Sequence, residues 1–279
     1  MFGKIDVPNA ADRKKLEDIL SRQDASEQDL QDFLEVHPEF IPQVFLQNHG
    51  MHLQCIISKF PLDTSLVTDF VYLAKSSASW NIVLIELERH QKPLLVNADK
   101  TPTPSSELSG ALAQVREWMA FIEDNKSEVL RRLSPIRVPL ADRPVNFKYM
   151  LIIGKDREFS SKRSLQRALG QLNSETIKVT TYDGILRNYD NTRGPVWRPN
   201  ILRVERSKYT IKRLHSSPWN LFAYVGPGDL LLTQEHENIL ERDGYNILAW
   251  RRGELLTGHE GKATATQTLH AMASMRSSS

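Results

Sequence analysis

The sequence has one cysteine and no long apolar segment. A single thiol, Cys55, cannot form an internal disulfide, and its apolar neighbours in LQCII favour a small buried side chain over a nucleophile. No apolar run is long enough to span a bilayer, and the amino terminus MFGKIDVPNAADRKK lacks the apolar region of a signal peptide. We therefore expect a soluble protein of the cytoplasm.

A strong net charge and glycine-rich nucleotide motifs are also missing. The 36 Lys and Arg nearly balance the 34 Asp and Glu, leaving a net charge of +2. No uniform surface for polyanions is therefore predicted, and contact with nucleic acid must come from local basic patches. Neither a phosphate loop nor a dinucleotide glycine motif occurs, so nucleotide hydrolysis has no support. The 279 residues suffice for one main domain and an accessory part.

Three carboxylates are predicted to converge at the ends of two neighbouring strands. Trp80 to Ile85 is an almost unbroken apolar run, so Glu86 and Glu88 stand where a buried strand ends. The two-residue period of a strand places both on one face. The preceding segment VTDFVYLAK is predicted to be a second strand carrying Asp69, joined to the first by the turn KSSAS. Because Mg²⁺ takes oxygen ligands and few protein carboxylates, this pattern indicates a site for a hard divalent cation.

Two helices bring further polar residues toward this sheet. A helix predicted from about Glu107 to Asp124 has Gln114 beside its apolar stripe and Trp118 one turn later. By themselves these are a surface glutamine and a core tryptophan. Glu35 lies near the end of a helix that Ser26 begins, where a solvated terminal acid is the simplest interpretation.

Two basic segments are candidates for contact with nucleic-acid phosphates. Lys162 and Arg163 lie in a helix predicted from Ser161 to Leu172, directly after the central strand YMLIIG. A solvated helix face explains them equally well. The alternating stretch ILRVERSKYTIKRL predicts a β-ribbon that carries five cations: Arg203, Arg206, Lys208, Lys212 and Arg213. Such cations would fix the position of a nucleic acid without reading its sequence.

The remaining segments carry structural predictions only. A first helix is expected from Asn9 or Asp12 to about Gln23, and a proline-punctuated connector from Glu128 to Pro144. Turn residues predict a turn at Tyr182-Asp183-Gly184 and a linker or exposed loop in NYDNTRGPVWRPN. After the ribbon we expect a strand near Leu221 to Val225, a helix from about Thr233 to Arg242, a strand YNILAW, and a mobile tail from Gly258.

Several of these segments together resemble the Shedu antiphage defence nucleases of the PD-(D/E)XK nuclease superfamily. The resemblance rests on DFVYL, WNIVLIELERHQKPLL and SSELSGALAQVREW, and continues through FKYMLIIGKDR, SKRSLQRALGQL and IKVTTYDGIL. It spans roughly Phe33 to Leu186. The usual lysine of the superfamily is replaced by Glu88, whereas Shedu-like domains often have E-x-E at this place.

The resemblance implies an α/β fold. A restriction-endonuclease-like core, with helices flanking a mixed sheet, would be followed by a small α/β accessory region. The corresponding boundaries are an N-terminal helical segment at residues 1–25, a nuclease domain at 26–190, an accessory region at 191–256 and a tail at 257–279.

The same resemblance implies a Mg²⁺-dependent deoxyribonuclease, with Mn²⁺ as a substitute, that acts in antiphage defence as a homo-oligomer, a dimer or a tetramer. Asp69, Glu86 and Glu88 would be metal ligands and catalytic residues. Gln114 would help to hold substrate or water, because related nucleases have a Gln-x-x-x-aromatic motif on this helix. Glu35 and Trp118 stay secondary candidates.

Two other functions remain open at this point. The absent lysine favours a catalytically weak module that binds DNA or supports assembly, since a fold does not guarantee its chemistry. A ribonuclease toxin would use the same site, and no feature of the sequence separates DNA from RNA.

Overall fold

The computed structural model describes residues 2–96, 101–156, 163–257 and 263–264. Lys162, the side chain of Arg163 and most of the tail from Gly258 lie outside the described residues. The helices are α1 (Ala10–Ser21), α2 (Glu27–Val36), α3 (Ser106–Leu133), α4 (Arg163–Gln171), α5 (Tyr182–Asn191), α6 (Trp219–Phe222), α7 (Gln234–Arg242) and α8 (Ile247–Arg251). The strands are β1 (Ile5–Val7), β2 (Met51–Pro61), β3 (Val67–Lys75), β4 (Trp80–Leu87), β5 (Leu95–Val96), β6 (Thr103–Pro104), β7 (Val145–Ile152), β8 (Ile177–Thr180), β9 (Gly194–Val196), β10 (Asn200–Glu205), β11 (Lys208–Arg213), β12 (Leu230–Leu231), β13 (Leu256–Thr257) and β14 (Ala263–Thr264).

Eight strands form one mixed sheet in the order β12-β11-β10-β2-β3-β4-β7-β8. β2, β3 and β4 make an antiparallel meander, and β7 and β8 continue the sheet in parallel with β4. On the other side β10 pairs in parallel with β2 and antiparallel with β11, which confirms the predicted ribbon. The predicted α/β fold with a mixed sheet flanked by helices is confirmed, and the ribbon belongs to the same sheet as the meander.

Helices cover both faces of this sheet. Every residue of β4 is buried, as expected of a central strand with apolar neighbours on both sides. One face packs against α3 and the C-terminal helices in a cluster that includes Trp80, Trp118 and Trp250. The opposite face packs against α1, α2 and α5, with Leu34 and Tyr189 in its core.

Side-chain caps fix where the first helices begin. The Asn9 side chain accepts from the backbone N–H groups of Ala11 and Asp12, at 3.0 and 3.2 Å. Ser26 and Asp29 form a reciprocal capping box at α2. These caps satisfy donors that have no partner within a helix, so both predicted starts are confirmed.

Three predicted irregular segments are helical or paired in part. The connector from Glu128 was wrong over its first part, because α3 continues to Leu133, with a non-helical residue at Asn125 and buried side chains beyond it. The predicted turn at Tyr182 was also wrong. Thr181 caps α5 there, and the helix buries Tyr182, Ile185, Leu186 and Tyr189. The predicted linker contains β9, which pairs with β1.

Two predicted C-terminal strands are helices. Leu221 and Phe222 lie in α6, and YNILAW contains α8, whose Asn246 cap accepts from the N–H of Ala249 at 3.0 Å. The ring of Phe222 meets that of Trp250 edge to face, with centroids 5.1 Å apart. Aromatic residues are enriched in strands in general, but tertiary packing between short helices prevails here.

The sheet has one edge at which several strands end together. β2, β4, β7 and β10 run in the same direction, so their carboxyl ends lie along this edge, and β3 begins there. Among the described helices, none has the length and apolar character needed to cross a membrane.

Candidate functional site

Asp69 and Glu86 lie at this edge and face α3. Their neighbours Phe70 and Ile85 pack into the core under α2, so the alternation of the strands turns the two acids to the other side of the sheet. Both acids are buried, with 4% and 5% of their surface exposed. The structure therefore places Asp69 and Glu86 on the same face of the sheet.

Asp69 is held from two directions. Its Oδ2 accepts from the backbone N–H of Leu87 at 2.6 Å, which ties β3 to the end of β4. Its Oδ1 accepts from the ammonium group of Lys59 on β2. The side chain therefore has a fixed orientation.

Glu86 is the most strongly perturbed acid of the group. Burial, followed by the charges of Asp69 and Glu88, raises its pKa well above the usual range of a glutamate. Its Oε1 accepts a hydrogen bond of 2.5 Å from Nε2 of Gln114 on α3. The structure thus brings the predicted glutamine to the predicted acid, although 28 residues separate them in the chain.

Glu88 follows the end of β4 and is anchored through its backbone. Its N–H donates to the carbonyl of Ile152 on β7 at 2.8 Å, and the hydroxyl of Tyr182 donates to its carbonyl at 2.8 Å. The Glu88 carboxylate accepts from the ammonium group of Lys92.

Three residues of this group were missed by sequence reasoning. Burial and then Asp69 and Glu88 raise the pKa of Glu27, the first residue of α2. Lys59 has a positive φ of 50°, which is uncommon for a lysine, and the strand register places it opposite Asp69. No local signal marks Glu27 or Lys59, because α2 and β2 meet β3 only in the folded chain. Of the three, Lys92 has a sequence signal, because it lies four residues after Glu88 and can pair with it.

The donor set of this group suits a divalent cation. Four carboxylates, Asp69, Glu86, Glu88 and Glu27, interact electrostatically, while Lys59 and Lys92 are the two ammonium groups paired with them. If all are ionised, a formal charge of −2 remains in a largely buried place. Oxygen ligands with an uncompensated negative charge are what Mg²⁺ binds in proteins.

A tighter group of possible ligands lies elsewhere. Within the described chain, ligand atoms of Asp12, His37 and Glu39 all lie within 4.8 Å of one another, whereas Asp69, Glu86 and Glu88 do not form such a trio. The guanidinium of Arg198 already contacts Asp12 at 2.7 Å and Glu39 at 2.9 Å. This trio is thus an ion-pair network, which ties α1 to the segment before β10.

The two secondary candidates lie outside the acidic group. Glu35 accepts from Ser58 and from Lys212, whose Nζ is 2.6 Å from Oε2. Burial alone would raise the pKa of Glu35, but the hydrogen bonds from Lys212 and Ser58 lower it. Trp118 is fully buried in the core beneath the sheet and cannot reach a nucleic acid.

The predicted basic residues differ in how accessible they are. Arg203, Arg206 and Arg213 are exposed and Lys208 is half-buried, all without an ion-pair partner among the described residues. Lys212 is committed to Glu35 and is not a free cation. The turn of the ribbon, at Arg206, lies at the same edge of the sheet as the acidic group.

Comparison with protein families gives a match over much of the chain. A family model described as Shedu protein SduA, C-terminal, matches residues 24–186, more than half of the chain. The matched range contains α2, the meander, α3 and the acids Glu27, Asp69, Glu86 and Glu88. No curated protein matches the chain.

Proposed function

Because the chain belongs to the family described as Shedu protein SduA, C-terminal, we propose that it is a metal-dependent nuclease that hydrolyses DNA phosphodiester bonds in defence against phage. Membership of the Shedu family suggests the defence role. The order of a helix, a three-stranded meander, a helix and a further strand, in α2, β2 to β4, α3 and β7, supports a PD-(D/E)XK-like core.

One observation carries the proposal. Asp69, Glu86 and Gln114 meet on one face at the edge where the central strands end, and Glu86 there is a buried acid with a raised pKa. Buried acids whose pKa is shifted by specific neighbours are concentrated at functional sites. A purely structural role would not favour this arrangement, because four buried or half-buried carboxylates with two paired ammonium groups repel one another.

Mg²⁺, with Mn²⁺ as a substitute, is the proposed cofactor. Asp69, Glu86 and Glu88 would hold it, since their oxygens are the appropriate ligands and their charge requires compensation. When bound, such a cation polarises a phosphate and makes water a better nucleophile at neutral pH.

The protein residues have separate tasks. The N–H of Leu87 orients Asp69, and Gln114 fixes Glu86, so neither acid has to reorganise during the reaction. Glu88, held by Tyr182 and Ile152, would orient the attacking water. Lys59 would place a positive charge near the phosphate oxygens, where negative charge increases in the transition state.

The decisive experiment measures cleavage of linear and circular DNA by the purified protein with Mg²⁺, Mn²⁺ or EDTA. Asp69→Asn and Glu86→Gln should each reduce the rate by about two orders of magnitude or more, because each removes a charged ligand while keeping an oxygen acceptor. Glu117→Gln, an exposed acid on α3, is the control. Undiminished cleavage by both site variants would contradict the proposal. DNA binding without cleavage would indicate the binding module, and cleavage of RNA alone the ribonuclease.

A further inference from the structure

A basic pocket lies away from the acidic group. The pocket has a volume of about 440 Å³ and lies between the carboxyl end of α3, the end of β2 and the turn of the ribbon. Its cationic lining is Arg131, Arg132 and Arg206, with Ser134 and Ser207 beside them. The sequence had placed Arg131 and Arg132 in a connector, so the pocket follows only from the continuation of α3.

Two of the three guanidinium groups of this pocket, those of Arg131 and Arg132, are held in place before any ligand arrives. Arg131 makes two hydrogen bonds of 2.8 Å to Glu128, and Arg132 makes one of 2.9 Å to the same carboxylate. Arg132 also donates to the carbonyl of Pro61 at 2.8 Å. The two arginines lower the pKa of Glu128 to about 2. The cluster of these three residues therefore keeps one net positive charge and a fixed geometry, which reduces the entropic cost of binding.

The other wall of the pocket is a strained turn. Arg206 and Ser207 have φ values of 49° and 70°, in a two-residue hairpin turn where Asn and Gly are the favoured residues. Arg206 and Ser207 are exposed, and neither side chain has a hydrogen-bond partner among the described residues. The turn thus presents a cation and a hydroxyl group beside the arginines of α3. Asp229, also in the lining, offsets one charge, and the pocket stays net positive.

We propose that this pocket binds a backbone phosphate of duplex DNA whose scissile phosphate lies at the acidic group, an inference that rests on the proposed function. Three strand spacings of about 4.8 Å separate β4 from β10, and about 17 residues of helix at about 1.5 Å each separate Gln114 from Arg131. These estimates, of about 14 Å and about 26 Å, place the pocket on the order of 20 Å from Glu86. At about 3.4 Å per nucleotide, the bound phosphate lies about four to eight nucleotides from the cut. Arginine is suited to this task because its planar group donates to two phosphate oxygens.

The test compares the salt dependence of DNA binding between variants. Duplex affinity is measured by fluorescence anisotropy in EDTA over a range of salt concentrations. The salt slope is the slope of the logarithm of the binding constant against the logarithm of the salt concentration. Arg131→Gln/Arg206→Gln should weaken binding about tenfold or more and reduce the salt slope by about 0.9 for each phosphate that is no longer neutralised. Arg131→Lys/Arg206→Lys should keep most of the slope. The control is Arg242→Gln/Arg252→Gln, which removes two exposed arginines on or beside α7 and α8 and should leave the slope unchanged.

Three results would overturn the proposal. They are an unchanged slope in the pocket variant, an equally reduced slope in the control, and tighter binding of duplex RNA than of duplex DNA by the wild type. Thermal unfolding of each variant checks that the fold is kept, which is expected because the Arg131 side chain is 69% exposed. If the wild type cleaves nothing and the pocket variant has a reduced slope, the proposed function is refuted and the phosphate-binding pocket is kept. If the wild type cleaves DNA and the pocket variant has an unchanged slope, the pocket alone is refuted.

Where the wild type cleaves at a mapped bond, single neutral methylphosphonate linkages locate the bound phosphate. At one position about four to eight nucleotides from the cut, the replacement should weaken wild-type binding and have little effect on the pocket variant. Equal effects on both proteins at every position would overturn the assignment.

Discussion

At the residue scale, each acid of the site depends on a different neighbour. Asp69 is fixed by a backbone N–H and by Lys59, Glu86 by Gln114, and Glu88 by contacts of its own backbone. Glu86 has no ammonium group in direct contact among the described residues, and burial and its acidic neighbours raise its pKa. Its ionised form therefore destabilises the folded chain.

Glu86→Gln should stabilise the metal-free protein at neutral pH. A carboxyl group whose pKa is higher in the folded state lowers stability as pH rises from its unfolded pKa, near 4.5, toward the folded one. The amide lacks this penalty and keeps an oxygen that accepts from Gln114. We expect a gain on the order of 1 kcal/mol or more in the free energy of unfolding at pH 7, vanishing below about pH 4.5. Urea unfolding in EDTA at pH 7 and below about pH 4.5 measures this gain. An equal gain at both pH values would show that the ionisation of Glu86 is not its cause.

Glu88→Lys should reduce metal affinity and cleavage together. The substitution replaces an oxygen ligand by an ammonium group. It also places this group beside Lys92, which pairs with the Glu88 carboxylate in the wild type, so that two like charges meet. We expect both quantities to fall by about tenfold or more, and a smaller decrease of metal affinity in Glu88→Gln. Calorimetric titration with Mn²⁺ and cleavage rates at increasing Mg²⁺ provide the measurements. Faster cleavage by the lysine variant at saturating metal would mean that Glu88 is only a replaced lysine.

At the element scale, α2 is attached to the ribbon by one ion pair. Glu35 on α2 is buried, and Lys212 on β11 reaches it at 2.6 Å, with Ser58 of β2 as a further donor. The His215 ring makes a 2.8 Å hydrogen bond to the Glu35 carbonyl. Because α2 also carries Glu27, this attachment helps to position an acid of the candidate site.

Lys212→Met should destabilise the protein by roughly 2–3 kcal/mol, because it leaves a buried carboxylate without its cation. Glu35→Gln in the same chain should recover most of this stability. Lys208→Met on the same strand, where no ion pair occurs among the described residues, is the matched control and should change stability by less than about 0.5 kcal/mol. Chemical unfolding of the wild type, the two single variants and the double variant forms a double-mutant cycle, and additive effects of the two substitutions would disprove the coupling.

At the scale of the whole molecule, one sheet joins the region that matches the family to the region that follows it. β10 pairs with β2, and Leu202, Tyr209, Ile211 and Trp250 share a core with Trp80 and Trp118. The predicted boundary after residue 190 therefore falls between strands of a single sheet. We expect the two parts to fold as one cooperative unit, because neither can bury its apolar surface alone.

Residues 1–190 expressed alone should aggregate, since the truncation exposes the edge of β2 and a large apolar face. Size-exclusion chromatography and near-ultraviolet circular dichroism of this fragment, against the full chain, measure the outcome. A monomer with native aromatic signals would show that the predicted nuclease domain is autonomous. The homo-oligomer implied by the family resemblance stays a prediction, which light scattering of the full chain would test.

The sequence by itself determined the features that depend on local chemistry. The alternation around Asp69 and Glu86, the caps at Asn9 and Ser26, and the ribbon all follow from side-chain period and hydrogen-bonding groups within a few residues. Tertiary structure alone decided what lies next to the acids. Glu27 reaches the acids, and Arg131 reaches the ribbon, from elements far apart in the chain, whereas Lys59 reaches Asp69 through the register of the neighbouring strands β2 and β3. The two short C-terminal helices form because aromatic packing outweighs their weak local preferences. Such contacts depend on which strands pair, and no local pattern encodes that pairing.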